Sequence, residues 1–138
     1  MPHCRARSGY GETVIQALSP YERLSPYERD VLPFVRPFTD ALVASVDMDS
    51  IDGLLDHGAG TGAVALALRN AGYGGAVVAL DPSPTMADRL RVNIGGDPAT
   101  TVFEGRLAEF IAAYPAERFG LITTQLVLPF VDDPRGEV

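Results

Sequence analysis

The stretch from Gly53 to Gly62, Gly-Leu-Leu-Asp-His-Gly-Ala-Gly-Thr-Gly, constrains this chain more than any other. Leu54 and Leu55 read as the end of a short buried strand, which Asp56 closes. Gly58, Gly60 and Gly62 then form a loop with almost no side chains, and an apolar helix runs from Ala63 to Ala71 and stops at Gly72. Strand, glycine loop and helix in that order make a nucleotide cradle. Bare backbone admits a ligand closely, and free N–H groups at the helix start are expected to point toward it. Asp56 selects among nucleotides: a carboxylate there repels a pyrophosphate but suits a ligand with a positive amino group or sulfonium.

The segments after the loop repeat the same alternation. Ala76-Val-Val-Ala-Leu80 is a continuous apolar run, as expected of a strand covered on both faces. Asp81 ends it, 19 residues after Gly62 (81 − 62), which leaves room for one helix, a turn and a strand. A carboxylate at this strand end is placed to accept hydrogen bonds from both ribose hydroxyls. Ser83 then caps a helix with Pro84 at its first position, Met86, Leu90 and Ile94 as its buried stripe, and Gly95-Gly96 as its stop. Thr100 to Glu104 reads as a third strand. Leu107, Phe110, Ile111 and Tyr114 fall at helical spacing before Pro115, and Phe119 to Thr124 reads as a fourth strand. Strands alternating with helices imply an α/β fold: a Rossmann-like parallel sheet with helices on both faces.

Upstream, Phe34, Phe38, Leu42 and Val46 recur every fourth residue across Pro37, giving an amphipathic helix that ends by Asp47. Before it stands a small repeat, Ser19-Pro-Tyr-Glu-Arg-Leu and Ser25-Pro-Tyr-Glu-Arg-Asp. Each copy reads as a helix start, with Ser as cap, Pro at the first helical position and Glu three residues on as a capping box requires. Residues 1–30 are therefore read as a lead-in, interrupted by Gly9 and Gly11, whose helices are either plain structure or a lid carrying Tyr21 and Tyr27. Residues 31–138 form the domain.

Bulk properties exclude several classes. The formal net charge of −7, with every basic residue an Arg, disfavours a nucleic-acid backbone as partner. Cys4 is the single cysteine, so no internal disulfide forms and a reducing compartment fits. No apolar run spans a membrane and no secretory segment opens the chain, so a cytoplasmic location is expected. No second Cys or His stands at zinc-ligand spacing, and neither a Gly-x-Ser-x-Gly elbow nor a Walker loop is present.

Asp56-His57-Gly58-Ala59-Gly60-Thr61-Gly62, taken with Asp81, resembles motif I of the class I S-adenosylmethionine-dependent methyltransferases. The resemblance runs from about Tyr27 to Pro134 and looks closest to the quinone-biosynthesis-like, small-molecule branch, through Phe119-Gly-Leu-Ile-Thr-Thr-Gln125 and Asp133-Pro134. It implies S-adenosylmethionine as cofactor, held by Asp56, Gly58, Gly60, Thr61, Gly62, Asp81, Arg106, Leu107 and Gln125. Pro82 and Met86 would flank the adenine, although Met86 reads equally well as core. Two positions depart from the pattern. Gly105-Arg106-Leu107 replaces Gly-Asp-Ala, and Arg106 cannot accept a bond from the adenine amino group. Gly120 replaces the usual Asp at the fourth strand. Family members also continue through three more strands, so the resemblance implies an incomplete fold of the first four. Its fourth-strand edge is expected to be closed by a second copy, another subunit or a C-terminal segment, making a homo- or hetero-oligomer.

The leading functional reading is S-adenosylmethionine-dependent methyl transfer to a small molecule, with no catalytic residue assigned because positioning supplies much of the rate. One alternative is a non-catalytic methyltransferase-like subunit that scaffolds or regulates a partner chain. Another is a dinucleotide-binding domain with Gly58, Gly60 and Ala63 as Gly-x-Gly-x-x-Ala, against which Asp56 argues. His57 reads as a packing residue rather than a base, and Asp132-Asp133 as a solvated turn.

Overall fold

The computed structural model describes residues 25–125 and 127. The first repeat copy, the Gly9–Gly11 segment and the Pro129–Pro134 stretch lie outside the described residues. The chain divides into two units, Met1–Val35 and Arg36–Val138.

In the first unit α1 spans Pro26–Asp30. Ser25 Oγ accepts from the Glu28 N–H at 3.2 Å, and Glu28 Oε2 accepts from the Ser25 N–H at 2.9 Å. The second copy of the repeat is therefore a complete capping box, with Pro26 at the position where a missing N–H costs nothing.

Helix α2, Leu32–Ala44, carries most of its length into the second unit. The expected stripe is only half correct. Leu42 and Val46 pack against the core beside buried Val43, whereas Phe34 and Phe38 are 78% and 64% exposed. The reason is geometric: a spacing of four advances the helix by about 40° per step, so three steps sweep about 120° and leave one face for another.

The sheet has the order β3-β2-β1-β4, all parallel, from β1 (Leu54–His57), β2 (Val77–Asp81), β3 (Thr100–Glu104) and β4 (Leu121–Thr124). Helices α3 (Ala63–Asn70), α4 (Pro84–Ile94) and α5 (Leu107–Ala113) connect the strands, and a 3-10 turn, Met48–Ser50, precedes β1. Alternation splits the strands between two cores. Leu54, Val77 and Ala79 pack with Val43, Val64, Ala65, Leu68 and Leu90 on one face. Leu55 and Leu80 pack with Phe110 on the other, beside Phe103, Leu107 and Phe119. Each fully buried Leu contributes about 2 kcal/mol.

Two strand boundaries and two helix faces differ from expectation. β1 does not close at Asp56 but runs on to His57, with Asp56 and His57 in the ladder opposite Ala79 and Leu80 on one side and Thr123 and Thr124 on the other. β4 starts at Leu121, since Phe119 is drawn into the aromatic group, 6.0 Å from Phe110. In α5 only Phe110 is buried; Ile111 and Tyr114 are half or more exposed, and Tyr114 sits edge-on to Phe103 at 6.1 Å. In α4 the buried positions are Ala87 and Leu90, with Met86 half-buried beside them.

Gly120 has a steric cause. A Cβ there would stand 2.8 Å from the Asp52 backbone nitrogen, so an Asp at the head of β4 has no room.

At the opposite end of the strands from the glycine loop, Arg69 ties α3 to the starts of β2 and β3. Its guanidinium donates to Asp97 Oδ2 (2.8 Å), to the carbonyls of Tyr73 (2.8 Å), Gly75 (2.7 Å) and Ala99 (3.0 Å), and to Thr100 Oγ (3.0 Å).

Candidate functional site

The glycine loop follows β1 and is held by the end of β2. The N–H groups of Gly58 and Ala59 both donate to the Leu80 carbonyl, at 2.8 and 2.9 Å. The Gly60 N–H donates to Asp81 Oδ2 at 2.8 Å, and the Gly62 N–H to the Ala59 carbonyl at 2.9 Å. Three of these four N–H groups are thus taken up by the end of β2 and the fourth by the loop itself. A pyrophosphate would have to take these N–H groups from existing partners, which weighs against the dinucleotide reading.

Gly58 shows why the loop needs glycine. Its φ is +72°, and an added Cβ would overlap a Val127 methyl, so the chain beyond β4 lies directly against the loop.

Asp81 is 8% exposed. Besides the Gly60 N–H, its carboxylate accepts from the Ser83 N–H at 2.9 Å through Oδ1, so each oxygen holds one backbone donor. Each oxygen keeps a further lone pair, enough for two hydroxyls.

Asp56 is 1% exposed and faces Thr123 across the β1–β4 ladder. The Thr123 hydroxyl lies 2.9 Å from Asp56 Oδ1, while Oδ2 has no partner among the described residues. Burial pushes the carboxyl up to about 7; the Thr123 hydrogen bond pulls it down, and the nearby Asp81 charge raises it further. A folded value raised above 3.8 means that ionising Asp56 costs stability as pH rises from about 4 to about 7. A cation beside Oδ2 would reverse that cost.

Two more buried atoms lack partners among the described residues: Thr61 Oγ and Gln125 Nε2. Gln125 follows β4, and its Oε1 accepts from the Thr39 hydroxyl of α2 at 2.9 Å. The C-terminal ends of β1, β2 and β4 therefore carry Asp56, the loop, Asp81 and Gln125.

The remaining expected residues stand around this group rather than in it. Arg106 is exposed and precedes α5; its N–H donates to Glu109 Oε2 at 2.6 Å, and the neighbouring Gly105 N–H donates to the Asp81 carbonyl at 3.0 Å. Leu107 packs against the core formed by Leu55, Leu80 and Phe110. Pro82 is exposed and Met86 half-buried. His57 is buried at the end of β1.

Sequence reasoning missed Thr123, Thr39 and Asn93. Asn93 Nδ2 donates to the Thr61 carbonyl at 2.9 Å. Thr39 did leave a signal, as a polar residue one turn before Val43, with which it is buried in an otherwise apolar helix. Thr123 left none, because strand register is not written in either strand alone.

Among the described residues no group of His, Cys, Asp and Glu could hold a metal ion, and no helix is long and apolar enough to cross a membrane.

Residues 55–137 match the model of a family described as methyltransferase domain. No curated protein matches the chain. Among solved structures, the chain is similar to an O-methyltransferase from Bacillus cereus in complex with SAH, at 24% identity and a TM-score of 0.54, covering 83% of this chain and 51% of that one. It is also similar to the plantazolicin methyltransferase BamL, solved with a triazolic desmethylPZN analog and SAH, at 16% identity and a TM-score of 0.62, covering 89% of this chain and 43% of that one. The chain thus spans about half the length of the structures it matches.

Proposed function

Because the chain belongs to the class I S-adenosylmethionine-dependent methyltransferases, we propose that it binds S-adenosylmethionine over the glycine loop and takes part in methyl transfer to a small molecule. The observation that carries this is the set of buried polar atoms without a partner among the described residues: Asp56 Oδ2, Thr61 Oγ and Gln125 Nε2. Their chemistry matches an amino-acid end. Asp56 calls for an ammonium, and the Thr61 hydroxyl and Gln125 amide can both donate to a carboxylate. Asp81, with one lone pair left on each oxygen, suits the ribose hydroxyls. The donor set fits the cofactor.

When bound, the cofactor supplies an activated methyl group on sulfur. The chain's own part is to bind and orient. The loop lets the ligand approach bare backbone, Asp56 fixes the charged end, and Asp81 fixes the sugar. No residue is assigned as acid or base. The acceptor is read as a small molecule because a chain of net charge −7 offers little to a nucleic-acid backbone, and as one of the quinone-biosynthesis-like kind from the outline Phe119-Gly-Leu-Ile-Thr-Thr-Gln125 and Asp133-Pro134; retention of RNA at physiological salt would contradict this. A non-catalytic methyltransferase-like subunit is the second reading. It is favoured by Arg106, a donor-only side chain where the family places an acceptor for adenine.

Asp81→Ala is expected to weaken S-adenosylhomocysteine binding by about 1.5–3 kcal/mol, the range for hydrogen bonds to a charged group. Calorimetric titration of the variant reads this directly, and unchanged affinity would refute the assignment.

A further inference from the structure

We propose that Asn93, at the end of α4, is a positioning residue of the cofactor site that acts through the Thr61 peptide. The inference rests on the cofactor reading above. The loop is anchored chiefly through its N–H groups, which go to Leu80, Asp81 and Ala59. Those bonds fix the Gly58, Ala59, Gly60 and Gly62 nitrogens and leave the Thr61 carbonyl to another element. Asn93 supplies that element's hold, with Nδ2 2.9 Å from the Thr61 oxygen. A carbonyl only accepts, so the amide nitrogen must face it.

Thr61 is the residue whose orientation matters here. It is 3% exposed, and its hydroxyl is one of the three buried side-chain atoms without a partner among the described residues. The flanking glycines, Gly60 (φ +56°) and Gly62 (φ +98°), place few limits of their own on the peptides beside them. The same helix supplies a second brace, because a Cβ on Gly62 would meet Leu90 Cδ1 at 2.5 Å. Leu90 limits where the loop can move, and Asn93 sets which way the Thr61 peptide turns. Together they keep the Thr61 hydroxyl available to the ligand rather than to a backbone carbonyl of the loop.

The test is a double-mutant cycle read as S-adenosylhomocysteine affinity by calorimetry, with thermal unfolding measured alongside. Asn93→Ala and the near-isosteric Asn93→Asp, which loses the donor, should each weaken binding by roughly three- to tenfold, the range for one hydrogen bond. In a Thr61→Ala background the same Asn93 changes should have less than a twofold effect, because the hydroxyl they position is gone. A merely structural Asn93 would lower affinity equally in both backgrounds, and that result overturns the proposal. So does full affinity in Asn93→Asp, which also covers the case in which Asn93→Ala fails to fold. If the unaltered chain binds no S-adenosylhomocysteine, the cofactor reading falls and this inference with it. Binding that is intact but indifferent to Asn93 removes this inference alone.

Discussion

Arg69→Ala is expected to lower the unfolding free energy by about 3–4 kcal/mol, read as a shift of the urea midpoint without a change of slope. One guanidinium holds the Asp97 carboxylate, three backbone carbonyls and the Thr100 hydroxyl, with its side chain only 19% exposed. Truncation leaves all of them without that donor at once, and leaving a buried acceptor unmade costs more than the bond contributed. Arg69→Lys should recover little, since one ammonium cannot reach the carbonyls of Tyr73, Gly75 and Ala99 together. A loss below 1 kcal/mol would mean that water replaces the side chain freely. The same hub sets a pH window. Asp97 is held down at about 2, against an ordinary 3.8, chiefly by the Thr100 hydroxyl, then by the Ala99 N–H and Arg69. A depressed carboxyl stabilises the fold above the unfolded value, so this contribution is present above about pH 4 and lost as pH falls toward 2. In Asp97→Asn that acid-side slope should flatten.

Gly58→Ala should cost about 2–5 kcal/mol. About 1–2 kcal/mol comes from forcing an L side chain to φ +72°. The rest is overpacking, because the new methyl occupies the space of Val127, and such insertions cost about 1–3 kcal/mol. Gly60→Ala separates the two terms. Its φ is +56°, but nothing lies within 4 Å of an added Cβ, so only the backbone strain applies. Urea unfolding of both variants, and of Gly58→Ala with Val127→Ala, measures the difference. Equal costs at the two glycines would show that Val127 does not bear on the loop.

Much of this was legible in the chain itself. β3 falls on Thr100–Glu104 as read, and the strand-closing acids and glycine stops mark β2, α3 and α4 to within a residue or so. These signals are local: a cap, a glycine, a continuous apolar run. What could not be read depends on pairing. Asp56 looks like the end of a strand until β4 is placed beside β1, where Thr123 comes opposite it. The loop N–H groups find their partners only when the Leu80 carbonyl and the Asp81 carboxylate are brought to them. The stripe of Phe34 and Phe38 misled because four-residue spacing drifts around a helix, and only the core decides which quarter of the drift is buried. Gly120 read as a missing acid; it is a position where the Asp52 backbone leaves no space for a side chain.

The cofactor assignment meets its most direct test in parallel calorimetric titrations of the 138-residue chain with S-adenosylhomocysteine and with NAD. The Asp56 oxygen without a partner among the described residues and the internally bonded loop N–H groups predict one-to-one binding of S-adenosylhomocysteine and no heat from NAD. Binding of NAD with none of S-adenosylhomocysteine would contradict the account at its centre.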